Sequence, residues 1–140
     1  MKILLDTNVA LDYLSAREHF FEASRNIVLI PPKLCRKFMS VKQMADVAYL
    51  IKRAGKSNND VSSELIKFSR IVEVLDLTRE DFLKAVHSKM KDFEDALLAY
   101  SAERYNIDYI ITRNVNDFAL SPINAISPLD FLSNISLDED

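Results

Sequence analysis

The chain of 140 residues carries a net charge of −3 and is 49% hydrophobic, which suits one folded domain able to bury most of its apolar surface and excludes a disordered segment. Its one cysteine, Cys35, excludes an intrachain disulfide and a thiolate zinc site, and its one glycine, Gly55, excludes a P-loop, a GxGxxG fingerprint and a GxSxG elbow. MKILLD is too short an apolar run for a signal peptide and no stretch approaches the ~20 apolar residues that span a bilayer, so the expectation is a soluble, cytoplasmic protein with no membrane partner.

Residues 2–5 (KILL) form a short apolar run ending at Asp6 and read as a buried first strand. Thr7 or Asn8 then suits a helix N-cap, with Val9, Leu11 and Leu14 continuing the helix. A second helical pattern runs from about Glu18 through Phe20, Ala23, Ile27 and Ile30 until Pro31-Pro32 stops it, although IVLI alone also suits a strand. Residues 35–39 are a candidate second strand, and Ser40 with Gln43 three positions on makes a capping box for a helix to about Ala54. A loop at 56–60 precedes a further helix at 61–70, and residues 71–77 (IVEVLDL) read as the clearest strand. Thr78 and Asp81 repeat the capping pattern for a helix to about Lys89. Residues 93–105 read as helix with Ala96, Leu97, Ala99 and Tyr100 inward, 109–112 (YIIT) as a fourth strand, 124–127 as a short fifth, and Pro128 as the start of a last helical turn.

Strands alternating with helices predict an α/β fold: a three-layer α/β/α sandwich with a central parallel sheet of about five strands. One domain is expected over residues 1–134, followed by an acidic, frayed tail at 135–140. Met39, Met44 and the aromatic residues are expected in the core.

The placement of the acids carries the functional signal. Asp6, Asp95 and Asp117 each follow an apolar segment or open a helix, and parallel α/β folds collect their functional groups at the carboxyl ends of strands. Carboxylates gathered at one sheet edge repel one another unless a hard cation neutralises them, and oxygen-only ligands suit Mg²⁺ or Mn²⁺. Those acids therefore point to a metal-dependent enzyme acting on phosphate esters. Two basic clusters, Lys33/Arg36/Lys37 and Lys52/Arg53/Lys56, either track a phosphate backbone or form solvated surface. His19 and His87 are isolated, which leaves Ser-His-Asp, Cys-His and histidine metal sites without support.

The segments LLDTNVALDYL, SVKQMADVAYL and DFEDALLAYSAERYNIDYIITRNVNDF resemble the PIN-domain ribonucleases, especially their VapC-like toxin branch, over nearly the whole chain from Lys2 to about Leu132. The resemblance implies a metal-dependent endoribonuclease, expected as the toxin of a type II toxin–antitoxin pair. It implies Mg²⁺ or Mn²⁺ as cofactor, RNA as substrate with tRNA among the candidates, a cognate antitoxin protein as partner, and a homodimer. The cleavage products it implies carry a 5′-phosphate and a 3′-hydroxyl.

Carried over by position, Asp6, Asp95 and Asp117 are the implied metal ligands and catalytic acids. Asp46 occupies the place where the family usually has a glutamate, with a reach shorter by one methylene. Asn114 stands where many members carry an acid, which lowers the charge of the site by one. Thr7, Asn8, Asp92, Thr112, Arg113 and Asn114 are expected to contact substrate or to hold the carboxylates in place. A ring of Asp6, Asp46, Asp95 and Asp117 around a divalent cation would offset charge building at the phosphorus, and single-stranded or looped RNA would be held by Lys/Arg contacts and aromatic stacking.

Other readings of the same residues compete. Asp6 also suits a cap on the following turn, Asp117 a turn residue, and Asp92 the N-cap of a helix with Asp95 at its third position. Asp12 reads as a solvated acid or one that supports the site from behind, and Asp46 as an ordinary helix-surface acid. The alternative function is a catalytically degenerate module of the same fold that binds RNA or protein. A phosphatase with Asp6 as nucleophile is disfavoured, since such families want a second acid two positions on and this chain has Asn8.

Overall fold

The computed structural model describes residues 1–137. In chain order its elements are β1 (Lys2–Leu5), α1 (Thr7–Leu14), α2 (Phe21–Val28), β2 (Arg36–Ser40), α3 (Val41–Arg53), α4 (Asn58–Ser69) and β3 (Glu73–Leu75). There follow α5 (Arg79–Val86), α6 (Phe93–Arg104), β4 (Tyr109–Ile111), a 3-10 turn (Val115–Phe118), β5 (Ala125–Ile126) and α7 (Pro128–Asn134). The five strands pair in parallel in the order β3-β2-β1-β4-β5.

Successive side chains of a strand face opposite ways, and here both faces are apolar, as a parallel sheet covered on both sides requires. Ile3 and Leu5 join Met39 and Ile111 in a core closed by α1, α2, α3, α4 and Phe131 of α7. Leu4 joins Phe38, Leu75 and Ile110 in a second core under α5 and α6. The architecture is the expected three-layer α/β/α sandwich around a parallel sheet of five strands.

The order of the strands decides where a site can form. From β1 the chain winds outward through β2 and β3, then returns to the other side of β1 for β4 and β5. The winding reverses between β1 and β4, and the carboxyl ends of strands at such switch points are where open α/β sheets bind ligands.

Several local expectations need correction. The N-cap of α1 is Asp6 itself, accepting from the Thr7 amide, so neither Thr7 nor Asn8 caps the helix. The second helix begins at Phe21 instead of Glu18, because His19 takes a positive φ of 73° that interrupts the helical turn. The expected loop at 56–60 is mostly helix, because Ser57 accepts from the Asp60 amide and starts α4 at Asn58. The segment 71–77 contributes only three strand residues, since β3 is an edge with β2 as its one partner. In α6 the fully packed stripe is Ala96, Leu98, Ala99 and Ala102, while Leu97 and Tyr100 are only half-buried.

Both capping boxes form as the spacing predicts, at Ser40/Gln43 and Thr78/Asp81. Met39 is fully buried and Met44 packs partly buried against the first core. Ile135 and Leu137, in the expected tail, pack against that core, and residues 138–140 lie outside the described residues. Among the described residues no helix is long and apolar enough to cross a membrane.

Candidate active site

Asp6 ends β1 and is fixed from three directions. Its amide donates to the Ile111 carbonyl at 2.9 Å, which ties it to β4 across the switch point. Its Oδ1 accepts from the Thr7 amide at 2.8 Å and its Oδ2 accepts from the Thr112 hydroxyl at 2.8 Å. Burial pushes the Asp6 carboxyl above the ordinary aspartate range, against the lowering effect of those two hydrogen bonds and of the Arg113 charge. The same Thr112 hydroxyl accepts from the Asn114 amide at 3.0 Å, so one side chain organises both the acid and the loop after β4.

Asp95 sits at the third position of α6, whose N-cap Asp92 accepts from the Asp95 amide at 2.9 Å. Its own pKa rises to about 6, first through burial and then through the charges of Asp92, Asp6, Asp117 and Glu94. Asp117 rides on the 3-10 turn after β4, and its charge bears on both Asp6 and Asp95. Three acids from β1, α6 and the turn after β4 thus share one electrostatic environment.

A cavity of about 450 Å³ opens beside Asp6 and Asp95, at the ends of β1 and β2 and along α3 and α6, with Asp6, Thr7, Asn8, Ser40, Asp46 and Asp95 in its wall and Asp117 outside the lining. Asp46 does not face the other acids as a free carboxylate: its Oδ2 accepts from Lys42 Nζ at 2.6 Å. Among the described residues no three His, Cys, Asp or Glu side chains converge closely enough to hold a metal ion as they stand. The four-acid ring therefore is not preassembled. The donor chemistry still fits a small hard cation, because every available ligand is an oxygen and Mg²⁺ commonly takes one or two carboxylates and keeps several waters. The charge crowding on Asp95 is the second point of fit, since a cation would relieve it.

The structure places three groups of residues that the sequence left open. Arg113 does not reach into the cavity: it donates to the two oxygens of Asp12 at 2.9 and 3.2 Å and stacks over the Phe20 ring at 4.0 Å. Asp12 is not a solvated acid but is 1% exposed, held by Arg113 and more loosely by Arg17 at 3.5 Å. Neither basic cluster tracks phosphate toward the site. Arg36 is spent on Glu73 through two bonds of 2.7 Å, and buried Lys37 donates to the Ile30 carbonyl, both at the opposite end of the sheet. Lys52 and Arg53 close the far end of a 13-residue helix that starts at the site, a separation of roughly 20 Å. Lys56 pairs with Glu64 at 2.5 Å.

Three residues matter that the sequence reading left out of the site. Gln43 does more than close its capping box. Its amide donates to the Leu5 carbonyl at 2.7 Å and to Thr7 Oγ1 at 3.4 Å, locking the start of α3 to the end of β1 beside Asp6. Lys42 and Glu94 line the cavity with Asp46 and Asp95. The available signals were the four-residue spacing of Lys42 and Asp46 and the adjacency of Glu94 to Asp95.

A family model described as the PIN domain matches residues 2–116, most of the chain. The chain belongs to the PIN-domain family. Solved structures similar to this PIN domain include a toxin–antitoxin complex from Klebsiella pneumoniae, at 21% identity and a TM-score of 0.69, covering 90% of this chain and 97% of that one. VapBC-1 from nontypeable Haemophilus influenzae matches at 17% identity and a TM-score of 0.68, covering 92% and 99% of the two chains. VapC20 of Mycobacterium tuberculosis, described as a sarcin-ricin loop cleaving toxin, matches at 18% identity and a TM-score of 0.61, covering 77% and 86%. No curated protein sequence matches this PIN domain with significance.

Proposed function

We propose that this PIN domain is a metal-dependent endoribonuclease, the toxin of a toxin–antitoxin pair, using Mg²⁺ or Mn²⁺. The observation that carries the reading is the gathering of Asp6, held by Thr7 and Thr112, and Asp95 in one cavity wall, where burial first and then the charges of Asp92, Asp6, Asp117 and Glu94 raise the Asp95 carboxyl. Perturbed carboxylates gathered in a cavity are a mark of functional sites, and a hard cation held by oxygen ligands would neutralise them. The similar structures described as a toxin–antitoxin complex and as a sarcin-ricin loop cleaving toxin support the same class.

In this reading Asp6, Asp95 and Asp117 hold the cation, with Asp46 as a fourth acid. When bound, the cation supplies neutralisation of the phosphodiester charge and a more acidic water as the attacking group. Thr112 and the Thr7 amide keep the Asp6 carboxylate in one orientation, so no rotation has to be frozen when substrate arrives. Asn8 and Thr7, in the cavity wall, offer hydrogen bonds to the scissile phosphate. Exposed Tyr49 in the same wall offers a stacking face to an unpaired base. The substrate is accordingly a single-stranded or looped RNA, tRNA among the candidates, cut to a 5′-phosphate and a 3′-hydroxyl. A small antitoxin protein would cover the cavity, the toxin itself would be a homodimer, and both would act in the cytoplasm.

Replacing Asp6 by asparagine tests the assignment. Asp6→Asn is expected to abolish cleavage of single-stranded RNA while the far-ultraviolet circular dichroism stays that of the wild type; a variant as active as wild type overturns it. A second reading, a degenerate RNA- or protein-binding module, is favoured by the engagement of Asp46 with Lys42. It predicts no thermal stabilisation by millimolar Mn²⁺, and a clear rise in melting temperature counts against it.

A further inference from the structure

Lys42 is the one cation in the wall of the acidic cavity. Its ammonium lies 2.6 Å from Asp46 Oδ2, one turn along α3, and 3.2 Å from Glu94 Oε1 on α6. A single side chain thus bridges two walls of the cavity and occupies the Asp46 carboxylate. Both neighbours hold the ammonium protonated, the Asp46 hydrogen bond most strongly. The bridge is nevertheless solvent-washed, with side-chain exposures of 41% for Lys42, 40% for Asp46 and 70% for Glu94. Ion pairs this exposed are weak and exchange partners readily.

We propose that Lys42 is a phosphate-binding residue that pairs with Asp46 in the free protein and leaves it for the RNA backbone when substrate enters. The inference rests on the metal-dependent reading of the site and adds an order of assembly to it. An entering phosphodiester offers the ammonium a new anion, the Asp46 carboxylate is released, and the acid set is completed only when substrate is present. Because linkage is reciprocal, RNA and cation then raise each other's affinity by the same factor.

Two titrations on the full chain test this. The first is calorimetric binding of Mn²⁺ alone to wild type, Lys42→Met, Asp46→Asn and the double variant. Lys42→Met is expected to bind Mn²⁺ about fivefold tighter or more, the lower end of coupling between linked sites. In the Asp46→Asn background the same change is expected to give no gain. The second is fluorescence anisotropy of a single-stranded RNA ten-mer in EDTA, where nothing is cleaved. Lys42→Met is expected to bind more weakly and to lower the slope of log affinity against log salt by about 0.7, one phosphate contact on a single strand. Unchanged Mn²⁺ affinity in Lys42→Met, an equal gain in the Asp46→Asn background, or an unaltered salt slope overturns the proposal. If no variant binds Mn²⁺ at all, the metal reading of the site fails and this inference falls with it.

Discussion

Asp95 puts the electrostatic argument in its most measurable form. Its carboxyl is raised from 3.8 to about 6 in the folded chain, by burial and by four neighbouring acids. A group whose folded pKa lies above its unfolded value opposes folding when ionised, so the penalty is absent below about pH 4, grows between pH 4 and 6, and is complete above. The full displacement corresponds to at most about 3 kcal/mol, and partial exposure to solvent screens it to about 1.5 kcal/mol. Asp95→Asn removes this penalty but also a favourable charge in the first turn of α6, which is worth about 0.5 kcal/mol. The net gain is about 1 kcal/mol, a rise in melting temperature of about 3 °C for a chain of this size. The assay is thermal unfolding in EDTA at pH 7.5 and again at pH 4.5. The variant is expected to be the more stable at pH 7.5, and the difference is expected to shrink at pH 4.5, where the wild-type carboxyl is mostly neutral. A variant no more stable than wild type at pH 7.5 refutes the claim that charge is crowded at this site.

Arg113→Met leaves Asp12 buried with only the looser Arg17 contact at 3.5 Å, and the loss is expected at about 3 kcal/mol by urea denaturation; an effect under about 1 kcal/mol contradicts the structural role given to the pair. Lys37 is buried with its ammonium on the Ile30 carbonyl, and that burial lowers its pKa. A lowered lysine pKa means that wild type gains stability as pH rises toward the ordinary lysine range. Lys37→Met is therefore expected to be about 1–2 kcal/mol more stable at pH 7, with the advantage narrowing toward pH 10 in the same denaturation series.

The sheet was legible because its signal is local. Apolar runs such as 2–5 and 109–111 are bounded by polar residues, and a strand buried on both faces needs nothing else to declare it. The helix starts at Ser40 and Thr78 were equally legible, since a capping box is a three-residue pattern. Ser57 with Asp60 is the same pattern as Thr78 with Asp81, but it lies in the polar run KSNND, whose composition favours a loop and hides the start of α4.

Asp6, Asp95 and Asp117 were findable as acids at element ends because the parallel topology brings such ends to one edge. The pairing of Arg113 with Asp12 is not legible in the sequence, for the opposite reason. They pair across 101 positions of sequence, and no spacing rule reports a partner that only the closed sheet supplies. Lys42 and Asp46 were within reach at four residues apart, but helical spacing alone does not say whether such a pair faces solvent or a cavity.

The most direct measurement is cleavage of a mixed single-stranded RNA pool with Mn²⁺, with EDTA, and by the Asp6→Asn/Asp95→Asn double variant, with the product ends mapped. The account predicts cutting that needs the metal, leaves 5′-phosphates and disappears in the double variant. Cutting that persists in EDTA or in the double variant, or products ending in a 2′,3′-cyclic phosphate, would contradict it.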